Sequence, residues 1–257
     1  MKIQMLFVAL HIGFAGLLSW AVICPVYAQG GQVREIGLAQ ASKSSDTAVQ
    51  TSSQVQLPIH ITEPGNYRLN TNLVGITPNT VISIESSDVT LDLNGFSISG
   101  GGPGIVGSGR NIAISNGSIN AGDGFGVRLS ETANCSIERL RITGRDGIAL
   151  AGIIGGDGVF ARTNCIVKNN TVEASRIGIS CGGCVVSGNT VTVLSNSGII
   201  ATDSSLVVGN RAVGNVALQA DDTTGYAQNV LHGTTADVTG GVQIGENLCV
   251  TSKICPP

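Results

Sequence analysis

The chain has 257 residues, with 36 Gly and 7 Pro, only 12% charged and 4% aromatic residues, and a formal net charge of −3 at pH 7. Val, Ile, Ser, Thr, Asn and Gly dominate, which suits short strands joined by tight turns and excludes a long-helix protein. The mild acidity excludes a general nucleic-acid binder, because no excess of Lys and Arg is available to neutralise phosphates.

Residues 1–28 join Lys2, an apolar run over 6–23 and the tripeptide VYA before Gln29, and predict a secretory signal peptide. The alternative is a retained anchor, since the run is about long enough to span a bilayer. Cys24 does not mark a lipoprotein site, because Ile23 before it is not small. No other apolar run approaches membrane length, so the rest of the chain is predicted to be exported, secreted or periplasmic. It carries a net charge of −4 and six cysteines, an even number suited to an oxidising compartment. Residues 29–56, rich in Gln, Ser and Thr, read as a flexible leader or N-terminal cap, with a short helix predicted over 33–41.

From residue 57 a repeat governs the sequence. Segments recur as LNGFSI (93–98), ISNGSI (114–119), IERLRI (137–142), VKNNTV (167–172), VSGNTV (186–191) and VGNRAV (208–213), their starts stepping by 21, 23, 30, 19 and 22 residues. A second marker, Gly followed by Ile or Val, keeps the same beat at Gly104, Gly126, Gly147, Gly178 and Gly198. A period near 22 with alternating strands predicts a parallel solenoid over 57–231, leaving 232–257 as a C-terminal cap or tail. Leucine-rich repeats of similar period need a leucine ladder that the chain lacks.

Stacking coils about 4.8 Å apart predicts two inward aliphatic columns. They are Leu93/Ile114/Ile137/Val167/Val186/Val208 and Ile98/Ile119/Ile142/Val172/Val191/Val213. Asn116, Asn169, Asn170, Asn189 and Asn210 fall at or beside one corner and predict an asparagine ladder, broken at Arg139 and Gly188.

These residues, from ITEPGNYRL (61–69) through SSDVTLDLNGFSISG (86–100) to the last rung, resemble the right-handed parallel β-helix proteins of the pectin-lyase-like superfamily. The resemblance implies an all-β fold, a right-handed parallel β-helix with N- and C-terminal caps. It does not choose an activity, because that family spans pectate lyases, polygalacturonases, alginate epimerases, phage tailspikes, adhesins and accessory proteins of copper-enzyme assembly.

Two residues before the first aliphatic column stand Leu91, Ile112, Cys135, Cys165, Cys184 and Leu206. Adjacent rungs lie within the reach of a disulfide, so Cys135 with Cys165 is one candidate pair. Cys181 with Cys184, across a Gly-Gly turn, is a second, and Cys249 with Cys255 in the tail a third; the connectivity stays open. A zinc site is disfavoured because His60 and His232 are far apart in coil order, and a redox dithiol because a strand rather than a helix follows the C-x-x-C. No metal or other cofactor is predicted.

The catalytic signatures of the resembling enzymes are missing: Asp221-Asp222 has no Gly-His-Gly beside it, and no Asp-Pro-His-Glu occurs. Charge is concentrated locally instead. Seven of the 14 basic residues, Arg128, Arg139, Arg141, Arg145, Arg162, Lys168 and Arg176, fall between 128 and 176. The longest interval of the repeat inserts a loop at about 149–163 in the same region, where function tends to be grafted onto a scaffold. Arg139, Arg141, Arg145, Asp146, Asp157 and Arg162 are therefore candidate binding residues for an anionic sugar; the plain alternative is a solvated face laced with Glu131, Glu138 and Glu173. The expected molecule is an exported binding or structural protein of the envelope or extracellular space, contacting polysaccharide or another surface component. Its alternative is a polysaccharide lyase or epimerase on acidic glycans, with Arg141 or Arg145 as base and Ca2+ as the one cofactor that reading would bring.

Overall fold

The computed structural model describes residues 33–37, 57–76, 78–100, 102–150, 164–252 and 255. The predicted signal sequence lies outside them. Within the described residues the chain winds through three faces in turn, and every strand pairs in parallel with its counterpart one coil away. The first face stacks Ile59, Ile82, Ile105, Val127, Ile148, Ile179, Ile199, Leu218 and Val238 in register. The second stacks Tyr67, Leu91, Ile114, Ile137, Val167, Val186, Val207 and Tyr226. The third stacks Leu73, Ile98, Ile119, Ile142, Val172, Val191, Ala212, Leu231 and Cys249. Apart from the partly buried Ile59, these residues are buried and meet in one continuous core, as parallel strands between tight corners require.

The Gly-Ile marker gives the first face without error. The other two columns are corrected at their ends. Leu91, not Leu93, pairs with Ile114; Val207, not Val208, pairs with Val186; and Ala212, not Val213, pairs with Val191. The cysteine column shifts likewise, with Val89 opposite Ile112 and the Cys184 amide donating to Ser205 Oγ at 3.0 Å. The slip at 206–213 follows from two adjacent valines, either of which fits an aliphatic column; a one-residue shift exchanges inside for outside. What fixes the register is Asn210, which is buried and hydrogen-bonded to Asn189 on the coil before.

The solenoid also extends beyond both predicted ends. Val33–Ile36 is a strand, not the expected helix, and pairs with Gly65–Leu69. At the other end Val230–Thr239, Val242–Gln243 and Leu248–Cys249 add further rungs, so stacking continues well past 231.

Two corner positions explain the asparagines. Asn94, Asn116, Arg139, Asn169, Gly188, Gly209 and Gln228 all have positive φ, between 51° and 65°, a left-handed bend that Gly and Asn adopt at least cost. The next residue in the later coils points inward and forms a second, continuous ladder of Asn170, Asn189, Asn210, Asn229 and Asn247. Each asparagine Oδ1 from Asn189 to Asn247 accepts from both the backbone N–H and the side-chain amide of the asparagine one coil before, at 2.9 to 3.1 Å. Each amide from Asn170 to Asn229 also donates to a backbone carbonyl, for example Asn189 Nδ2 to Val167 O at 2.8 Å. Buried polar groups at the corner are thus paired coil to coil.

Candidate functional site

The sequence-predicted residues are distributed over two edges of the third face. Arg139 occupies the left-handed corner before that face, where its Nε donates to Asn116 Oδ1 at 2.7 Å and its Nη1 pairs with Glu138 at 2.7 Å. Lys168 joins the same carboxylate at 3.4 Å. Hydrogen bonding from Ser136, with the nearby Lys168 and Arg139, outweighs burial and holds Glu138 below the usual carboxylate value. Arg141 is exposed at the start of the strand that follows, paired in register with Ser118 and Thr171.

Arg145 and Asp146 lie at the far edge, where the chain turns onto the first face. The Asp146 carboxylate is buried and accepts from Arg145 Nε at 3.2 Å and from Arg176 Nε and Nη2 at 3.0 and 2.9 Å. A two-pronged guanidinium contact of this kind fixes orientation as well as charge; the hydrogen bond to Asp146 raises the Arg176 value above normal. The structure therefore brings Arg145 and Asp146 together, adds Arg176, and leaves Arg139 and Arg141 at the opposite edge. Asp157 and Arg162 lie outside the described residues.

Next to this ion cluster is a feature the sequence pattern did not reveal. Phe125 begins the first-face strand of the preceding coil, and the guanidinium carbons of Arg128 and Arg145 lie 5.2 and 6.0 Å from its ring centroid, within cation–π range. Arg128 also lines an open groove of about 280 Å³ on the outer side of the first face, with Ser83, Glu85, Val106, Ser108 and Ser130. Gly107 and Ile84 complete its lining.

At the groove's edge His60 Nδ1 lies 2.6 Å from Glu85 Oε1, and Ser83 Oγ donates to the same oxygen at 2.9 Å. The His60 bond first, then Ser83, holds Glu85 below the usual carboxylate value. A carboxylate can only accept, so Nδ1 carries the hydrogen of this bond. His60 and the residues of the groove come from four successive coils, spaced by more than twenty residues, and only the register shows that they are neighbours.

The cysteines divide into two classes. Cys135–Cys165 and Cys249–Cys255 are disulfides. Cys181 and Cys184, the remaining candidate pair, are not joined by a disulfide and stay as buried thiols. The sulfur of Cys165, one coil from Cys184, is already bonded to Cys135. Burial, and then the adjacent Cys184, pushes the Cys181 thiol well above its ordinary value, which disfavours the thiolate that exchange or metal binding needs. Among the described residues no group of three or more His, Cys, Asp or Glu is placed to hold a metal ion.

The family model for the right-handed β-helix region matches residues 59–217. The chain belongs to the right-handed β-helix family. No curated protein matches it. Among solved structures, the Dettilon tailspike protein is similar to this β-helix over 69% of the chain, with 12% identity and a TM-score of 0.39. The β-helix covers 45% of that tailspike chain, less than half of its length. No helix among the described residues is long and apolar enough to cross a membrane.

Proposed function

We propose that this β-helix is an exported binding protein that takes an anionic polysaccharide along the first face, with Arg128 as the central contact. The observation that carries this reading is the groove itself. Arg128 has no carboxylate partner among the described residues and is steadied over Phe125. Three serine hydroxyls beside it can exchange hydrogen bonds with sugar hydroxyls. Arg145 and Arg176 extend the positive surface, although Asp146 takes up part of their charge. The open, shallow shape suits a chain passing across the surface better than a small molecule enclosed by it. Two disulfides favour an oxidising compartment and hence export.

Binding to pectate, alginate and hyaluronan by glycan array and calorimetry tests the reading. Arg128→Ala is expected to weaken the responding polymer at least tenfold, about one charge-assisted hydrogen bond, and Arg139→Ala to change it little. Equal losses from both would move the site away from the groove, and no response to any acidic polymer would refute the reading. The hydrogen-bonded His60 and Glu85 pair supports one second reading, a lyase, in which the imidazole removes a proton from the bound uronate. Incubation of the same polymers with and without Ca2+ would then release unsaturated, ultraviolet-absorbing products, and His60→Ala would stop their formation.

A further inference from the structure

The outer side of the second face changes character half-way along. In the early coils its outward positions are Asn66 and Arg68, then Thr90 and Asp92, Ala113 and Ser115, Ser136 and Glu138, in register. From the next coil they become Ile166 and Lys168, Val185 and Ser187, Leu206 and Val208, Gly225 and Ala227, and finally Val242 and Ile244. Ile166 is 40% exposed, Val185 38%, Leu206 36%, Val242 47% and Ile244 60%. A sheet packed on one side and wet on the other alternates apolar inward with polar outward; apolar residues on both sides mark a sheet covered on both sides. The aliphatic residues are contiguous over five coils, a patch of the kind that signals association in soluble proteins.

We propose that this half of the second face is the contact surface of a symmetric dimer, in which two copies pack face to face with their solenoids antiparallel. The two-fold axis lies along the strand direction at Leu206. It keeps each outward column over itself and reverses coil order, so Leu206 meets its own copy, Ile166 faces Val242, and Val185 faces Gly225. Over Gly225 lies the side chain of Ile244 of the same copy, 3.1 Å from where a Cβ on Gly225 would stand, so Val185 meets that isoleucine and the aliphatic patch continues across the glycine. The same operation brings Lys168, which shares Glu138 with Arg139 and leaves that end of the face net positive, beside Ile244 and Glu246 of the other copy. Glu246 is exposed and has no ion-pair partner among the described residues. Residues 203–252 contain one basic residue, Arg211, against Asp203, Asp221, Asp222, Asp237 and Glu246, so the two ends of the patch differ in sign as an antiparallel pairing requires. Each contact off the axis occurs twice, the property of an isologous interface.

Sedimentation equilibrium of the purified protein tests the proposal, and it is independent of any glycan. A dimer is expected, and Leu206→Glu, which sets two carboxylates against each other at the axis, should raise its dissociation constant at least about 100-fold, as for a central hot spot. Unchanged circular dichroism and melting temperature would show that the variant still folds, because Leu206 points outward. Lys168→Glu should weaken the dimer alone, and the added Glu246→Lys should restore it. A monomer at all concentrations, a larger assembly, or a dimer indifferent to Leu206→Glu would overturn the proposal, as would failure of the charge exchange to restore association.

Discussion

Asp237 shows how one side chain secures the end of the solenoid. Its carboxylate is buried; Oδ1 accepts from the Gly233 amide at 2.7 Å, and Oδ2 from the Thr251 and Ser252 amides at 2.9 Å and the Ser252 hydroxyl at 3.0 Å. Burial alone would raise its value, but the bonds from Gly233, Ser252 and Thr251 prevail and leave it lowered. A carboxylate whose folded-state value is depressed stabilises the fold fully above its unfolded value, and that contribution is lost as pH falls through the folded one. Asp237→Ala should therefore cost about 2–3 kcal/mol near neutral pH, the loss of charged hydrogen bonds in a buried site. The difference from wild type should shrink as the solution is acidified below the ordinary carboxylate range. Denaturant titrations of both proteins across that range check it; a difference that did not change with pH would assign Asp237 a packing role instead.

At the scale of the coil, stability depends on ladders that repeat with the strands. Asn210 accepts from the amide and side chain of Asn189 and donates to Val186 O and Asn229 Oδ1. Asn210→Ala leaves the buried Asn189 N–H without its acceptor and is expected to destabilise the protein by about 3 kcal/mol. Asn169→Ala, at the exposed left-handed corner one residue from the ladder, should cost about 1–2 kcal/mol from backbone strain alone. Thermal melts of the two variants would separate them, and equal losses would deny the ladder its special role.

These two neighbouring positions also show what the sequence could and could not disclose. The period was legible because inward aliphatic residues recur at every coil, and the Gly-Ile marker was unambiguous because the glycine cannot be exchanged: a side chain on Gly178 would run into Val191 and the Gly198 carbonyl. The register at Val207 and Val208 was not, since the two residues are chemically alike and only a long-range bond tells them apart. The groove was hidden for the same reason. His60, Glu85 and Arg128 form no local motif, and Arg139 and Arg145, close in sequence, are separated by the strand between two corners. The apolar second face was concealed too, because Ile166 and Val185 sit beside inward valines and add only to an aliphatic run.

Across the whole molecule, coils touch chiefly their immediate neighbours, so a solenoid's stability is close to a sum of coil and interface terms and local loosening need not spread. Cys135–Cys165 joins adjacent coils with a sequence separation of 30, bracketing the longest interval of the repeat. In the chain-entropy account, closing a loop of that length contributes about 3–4 kcal/mol. Replacing both residues by Ser should lower the melting temperature and, more tellingly, raise amide exchange in the flanking strands Ser136–Leu150 and Ile166–Lys168. Val230–Thr239, several coils away and fastened through Asp237 and Asn229, should keep its protection. Exchange mass spectrometry on the double variant distinguishes the two behaviours. Loss confined to the coils around the disulfide is the signature of nearest-neighbour coupling, whereas uniform loss to the C-terminal rungs would mean that the solenoid unfolds as one cooperative unit. In that second case the groove on the early coils and the apolar face on the late ones would share a single stability, and weakening either would weaken both.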